Sequence, residues 1–165
     1  MLRKIYKISY YINQICFSAA SGFLGAMLLL VLFQVLARYL FQVVPIWTEE
    51  AARYCMVWGG LLGSTVSFYK DWDPRLFKPP PSGTGAWSVA ATWIRAVSVV
   101  VFLGPILYHS GRFILRTFFR TSEGLGIPMA FITIAVPMAL AIILIHLIAK
   151  LLSNFLSDQL EEIKK

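Results

Sequence analysis

Residues Ile15–Ala37 pass without one charged side chain, and that run restricts the fold more than any other feature. A helix needs about 20 consecutive apolar residues to cross a bilayer core roughly 30 Å thick. Three more apolar runs follow at about 51–68, 87–108 and 129–152. Together the four occupy most of the 165 residues, leaving little chain for a separate soluble domain. Only 14% of the residues are charged and 58% are hydrophobic, whereas soluble domains carry about 25% charge. The predicted fold class is an all-α integral membrane protein with four transmembrane helices, forming one membrane domain over 1–165.

The net charge of +7 does not point to nucleic acid. The cations sit at the ends of apolar runs, at headgroup depth, and no basic stripe alternates with exposed aromatics. Arg3, Lys4 and Lys7 precede the first run, which is too long for a signal-peptide core. An uncleaved first helix is expected. If the N-terminus is cytoplasmic, the inner segments carry Arg3, Lys4, Lys7, Lys70, Arg75, Lys78, Lys150, Lys164 and Lys165. The outer ones carry Arg38, Arg53, Arg112, Arg116 and Arg120. Nine cations against five favours both termini inside. Cys16 and Cys55 fall early in successive antiparallel spans, at opposite faces, so no disulfide is expected between them.

The connections have distinct characters. Arg38–Thr48 is short, contains Pro45, and makes the first two spans a hairpin. Trp47 is placed for the outer interface, and Trp72 and Trp87 for the inner one. Segment 71–85 carries Pro79-Pro80-Pro81 and then Ser82-Gly83-Thr84-Gly85, a stiff stretch followed by a loose one. In the third connection Arg112, Arg116 and Arg120 recur every four residues, opposite Ile114, Leu115 and Phe118. This predicts an interfacial amphipathic helix over about 110–122, or a protruding extension of the third span. Gly124, Gly126 and Pro128 signal a turn, and Pro137 predicts a kink in the last span.

Candidate contact groups follow from the same pattern. Ser18, Gly22 and Ala26, with Ser21 and Gly25 beside them, and the pairs Gly59/Gly63 and Gly60/Ser64 suit close helix packing, within this chain or against a second membrane protein. Glu49 and Glu50 are the acids expected beside a span. Thr48 is expected to N-cap the second helix, both acids favour the positive end of its dipole, and Glu49 faces Arg53 one turn on. Alternatively the two acids contact a cation or a partner. Arg95 lies about 13 Å into the third span. It therefore snorkels to headgroups or anchors another subunit.

The chemistry of an enzyme is missing from the pattern. No Asp or Glu lies within a span, and no nucleotide-binding, metal-spaced or serine-nucleophile motif occurs. No catalytic, cofactor-binding or metal residue is assigned. His109 and His146 lie too far apart along the membrane normal to bracket one haem, although single-histidine ligation stays open. Three function classes remain: a partner-dependent transport subunit, a haem-binding membrane anchor of a redox complex, and a self-sufficient small exporter.

The segments Arg38-Tyr39-Leu40-Phe41, Pro45-Ile46-Trp47-Thr48-Glu49-Glu50-Ala51-Ala52-Arg53 and Val57-Trp58-Gly59-Gly60-Leu61-Leu62-Gly63 resemble the small Q subunit of tripartite ATP-independent periplasmic (TRAP) transporters. Leu125-Gly126-Ile127-Pro128-Met129, with Pro137 beyond it, is similar to that family's entry into its fourth span. Tyr69-Lys70-Asp71-Trp72-Asp73-Pro74-Arg75 departs from the family, which often shows a histidine there. The resemblance implies a bacterial inner-membrane subunit that binds no cofactor. It would scaffold a large membrane subunit, and the sodium gradient and the solute, commonly an organic acid, would be handled there. A soluble periplasmic receptor would be a transient partner, and lipids a constant one. Under this resemblance Arg38, Trp47, Glu49, Glu50, Arg53, Gly59, Gly63, Arg95 and Pro128 are interface or structural candidates. Arg112, Arg116 and Arg120 are candidates for receptor or lipid contact.

Overall fold

The structure, a computed structural model, describes the backbone of residues 2–72 and 86–162, and side-chain surroundings for 7–72, 90, 91 and 93–152. The proline-rich segment beyond Trp72 and the side chain of Trp87 lie outside those residues. The described chain is helical. Helix α1 spans Leu2–Leu40, α2 Ile46–Lys70, α3 Ala86–Phe118, α4 Ala130–Thr133 and α5 Ala135–Glu162. The segments Lys7–Leu40, Trp93–Phe118 and Ala130–Leu152 are long and apolar enough to cross a membrane. Helix α2 is about 37 Å long at 1.5 Å per residue, but Glu49, Glu50, Arg53, three glycines and several hydroxyl residues dilute its apolar character.

Each helix ends for a local reason. At the end of α1 the N–H of Phe41 closes on the carbonyl of Ala37 at 2.9 Å, and Gln42 then takes a left-handed φ of 57°. Pro45, extended at φ −64° and ψ 128°, starts α2. Thr48 is therefore inside the first turn and not the N-cap expected from sequence. It is fully buried, and its hydroxyl donates back to the Pro45 carbonyl at 2.7 Å. Proline supplies the extended entry itself, so no side-chain cap is needed. Asp71 ends α2 in the left-handed region, with Trp72 N–H reaching the Ser67 carbonyl at 3.0 Å. Aspartate enters that region more readily than most residues.

The expected separate interfacial helix over 110–122 is absent, because α3 continues unbroken to Phe118. No proline stands between Ile106 and Phe118, and Gly111 alone does not stop a helix. Residues 110–118 instead extend α3. Pro105 sits inside α3 instead. After α3, a small hairpin pairs Thr121 with Pro128 and turns at Gly126, whose φ is +67°. The last span opens with α4 and is interrupted at Ile134. Pro137 donates no N–H and crowds the carbonyl one turn back, which accounts for the break just before it.

The α1–α2 hairpin is the most extensive helix pair, and α5 packs against both of its helices. Its core holds Cys16, Ala20, Leu62 and Val66, flanked by Phe23, Trp58 and Ile142. Helix α3 leans on α4 and α5. It reaches α2 near Phe68, which clusters with Ala96 and Leu147. The larger apolar residues point outward: Leu28, Leu32 and Leu36 on α1, and Val97, Val101 and Phe102 on α3, are all exposed. Small residues inside and large apolar ones outside fit a solvent as apolar as the core, where packing rather than hydrophobicity holds helices together.

Candidate functional site

Two polar constellations stand at opposite ends of the helices. The first lies at the hairpin end, around Glu50. Its Oε2 accepts the backbone N–H of Gly124 at 2.8 Å and of Leu125 at 3.1 Å, and Tyr54 donates its hydroxyl to Oε1 at 3.2 Å. Donors that favour the charged form lower its pKa below the ordinary 4.5, Ser122 foremost, against an opposing effect of burial. The carboxylate thus ties the start of α2 to the loop before α4. Gly124 is needed for this approach: a Cβ there would lie 2.7 Å from Glu50 Oε2 and 3.2 Å from Trp47 Cα.

Around this clamp the other predicted residues face outward. Glu49 and Arg53 pair at 3.3 Å across one exposed turn, as their spacing predicts. Trp47 is 46% exposed. Arg38 is exposed in the last turn of α1, where a cation suits the helix dipole. Pro128 closes the small hairpin against Thr121, and its carbonyl accepts from Phe131 N–H at 3.2 Å. Arg112 and Arg116 near the end of α3 and Arg120 just beyond it are all exposed, and none has a side-chain partner among the described residues.

The second constellation gathers where α2 ends, beside the first turns of α1 and the later turns of α5. Asp71 stands between two cations: Arg95 reaches it at 2.8 Å, and Lys150 also pairs with it. Arg95 also lies over the Phe68 ring, 4.7 Å from its centroid. An intramolecular pair therefore holds the charge that sequence placed within a span. Sequence reading placed Glu49 and Glu50 as the acids flanking a span; α2 extends to Lys70, so Asp71 flanks one too. Deeper in, Ser9 Oγ and His146 Nδ1 lie 2.7 Å apart, and both residues are buried. The Tyr69 ring stands 5.0 Å from the imidazole. His146 Nε2 and Asn13 Oδ1 are buried without a hydrogen-bond partner.

Between these ends, the small residues divide into two groups. Gly59 packs against α1, where a Cβ would come 3.0 Å from the Leu24 side chain. Gly22, Gly25, Gly60 and Gly63 meet nothing within 4 Å at that position. Of the two packings open to the small-residue set of α1, the one within this chain is not made at Gly22 and Gly25, which turn outward. The buried stripe is Ser9, Asn13, Cys16 and Ala20, at the same helical spacing but one face round. Trp58 stacks on Phe23 at 5.8 Å and donates its indole N–H to the Phe131 carbonyl at 3.2 Å, next to the helix break. Both cysteines are free.

Among the described residues no group of His, Cys, Asp and Glu could hold a metal ion. His109 bonds the Pro105 carbonyl at 2.9 Å on exposed α3, whereas His146 is buried against α1. The arrangement offers contact surfaces and internal clamps. No curated protein matches the chain. Residues 27–71, from mid-α1 through α2 to its cap, match the family described as tripartite ATP-independent periplasmic transporters, DctQ component.

Proposed function

Because its α1–α2 hairpin identifies this chain as a DctQ-type component of a TRAP transporter, we propose that it is the static membrane scaffold beside the large transport subunit. This is a transporter-subunit family, not an enzyme family. The reading has four spans, with α2 crossing the bilayer in the company of α1, and both termini in the cytoplasm. The membrane is the bacterial inner membrane. The large subunit moves the solute, an organic acid, with an ion gradient, while a soluble receptor delivers it at the hairpin end.

The observation that carries this reading is the matched hairpin. The physical pattern supports it. No acid lies in the apolar core of any span, so ion coupling is assigned to the partner. The open Gly22, Gly25, Gly60 and Gly63 positions allow close approach of another helix. Arg112, Arg116 and Arg120 pair with no acid among the described residues and suit an acidic receptor face or lipid phosphates.

Purification of the tagged chain from native membranes in mild detergent, with partners identified by mass spectrometry, tests the assignment. A stoichiometric large polytopic permease is the expected result; a haem protein, or no partner, overturns it. Replacing Arg112, Arg116 and Arg120 together with Gln tests the receptor role. Uptake falls while the complex still assembles if they meet the receptor, and unchanged uptake in an assembled complex assigns them to lipid.

A further inference from the structure

We propose that the cavity beside His146 is a binding pocket for the phosphodiester headgroup of an anionic phospholipid. The cavity has a volume of about 190 Å³ and is bounded by Ser9 of α1, Phe68, Tyr69 and Asp71 at the end of α2, and His146 and Lys150 of α5. A single water requires only about 10–15 Å³ of such space, so the cavity takes a group far larger than one water.

Two independent features define what it accepts. His146 is only 3% exposed, its Nδ1 is fixed by Ser9, and its Nε2 has no partner. A neutral ring that accepts the Ser9 hydroxyl at Nδ1 carries its proton on Nε2 and presents a donor. The ring that carries this donor lines the cavity. Lys150 and Asp71 line the cavity, and Arg95 pairs with Asp71. Two cations against the single carboxylate of Asp71 leave this cluster of described residues net positive, so a buried donor beside it favours an anionic acceptor.

The depth is that of headgroups. Lys70 lies over the rings of Phe17 and Trp72, 4.7 and 4.5 Å from their centroids, and Trp72 is 69% exposed. A cation laid over aromatic rings at the end of an apolar helix marks the membrane–water boundary. The inference rests on the membrane reading given above; its leaflet follows from the proposed orientation, while the binding chemistry does not depend on the transporter assignment.

The chain contains two histidines, His109 and His146, and the first is a built-in control on another helix. The full chain, labelled with ¹⁵N-histidine in neutral detergent micelles, is titrated with short-chain phosphatidylglycerol. Expected is a saturable shift of the His146 imidazole with His109 unmoved. Lys150→Met weakens the apparent affinity about tenfold, the worth of one charge-assisted hydrogen bond, and Lys150→Arg retains it. A shift shared by both histidines, or none at all, overturns the proposal. An equal response to inorganic phosphate overturns the lipid as the source, and an equal response to phosphatidylcholine overturns the requirement for net charge. Because no partner subunit takes part, failure here leaves the pull-down result standing, and the reverse.

Discussion

The carboxylate of Glu50 and the backbone N–H of Gly124 meet at 2.8 Å across 74 residues of sequence. This contact fixes the loop before the last span onto the start of α2. It needs a residue without a side chain at 124, because a Cβ would stand 2.7 Å from the oxygen and 3.2 Å from the Trp47 backbone. Gly124→Ala is expected to cost about 1–3 kcal/mol, the usual range for overpacking a tight site. Thermal unfolding of the detergent-solubilised chain reads this as a lower Tm. An unchanged Tm would mean that the loop slides aside without losing the bond.

Glu50 also gives the loop a pH dependence with a defined sign. Its pKa is lowered in the folded chain from the ordinary 4.5, chiefly by Ser122. A depressed carboxylate contributes stability that is complete above its unfolded pKa and is lost as pH falls through the folded value. Acidification from neutral pH to below 4.5 should therefore loosen the 121–128 loop, with little change on the alkaline side. Hydrogen exchange at Gly124 and Leu125 measures this directly. Glu50→Gln should remove the acid-dependent part, and protection in that variant that still falls steeply with acid would assign the effect to another group.

What the sequence disclosed was mainly local. The apolar runs, the break at Pro45, the Glu49–Arg53 pair and the turn near Gly126 each follow from residues a few positions apart. The Glu50 clamp and the Ser9–His146 contact, 137 residues apart, leave no such mark. The buried stripe of α1 was within reach, since Ser9, Asn13, Cys16 and Ala20 recur every three or four residues. Glycine is a strong signal of close packing, yet Gly22 and Gly25 lie outside the intramolecular contact, on the face left open to a second helix. Arg95 could be placed by depth alone; its partner required knowing that α2 runs on to a left-handed cap at Asp71.

Two of the three glycines of α2 should separate folding from assembly. Gly59 is backed by Leu24 at 3.0 Å, while Gly63 faces open space. Gly59→Val should lower the Tm of the isolated chain by prying α1 from α2, at about 1–3 kcal/mol. Gly63→Leu should leave that Tm unchanged or raise it, since leucine is the better helix former by up to about 1 kcal/mol. If the open face receives the large subunit, the same Gly63→Leu chain should co-purify with less of it. Equal recovery of the partner would move the interface elsewhere on the chain.

Asp71 offers a test of how far ion pairs hold this end together. Its carboxylate serves Arg95 and Lys150 at once, and the three side chains are between 28% and 39% exposed. Solvent screening limits each pair to about 1 kcal/mol or less. Asp71→Asn keeps a residue that tolerates the left-handed φ of 57° while removing the charge, so any loss reports the pairs and not the backbone. A modest drop in Tm is expected. Arg95→Gln on the Asp71→Asn background should then cost less than it does alone, since the two residues share one interaction. Strict additivity of the two changes would show that Asp71 is not what holds Arg95 in place.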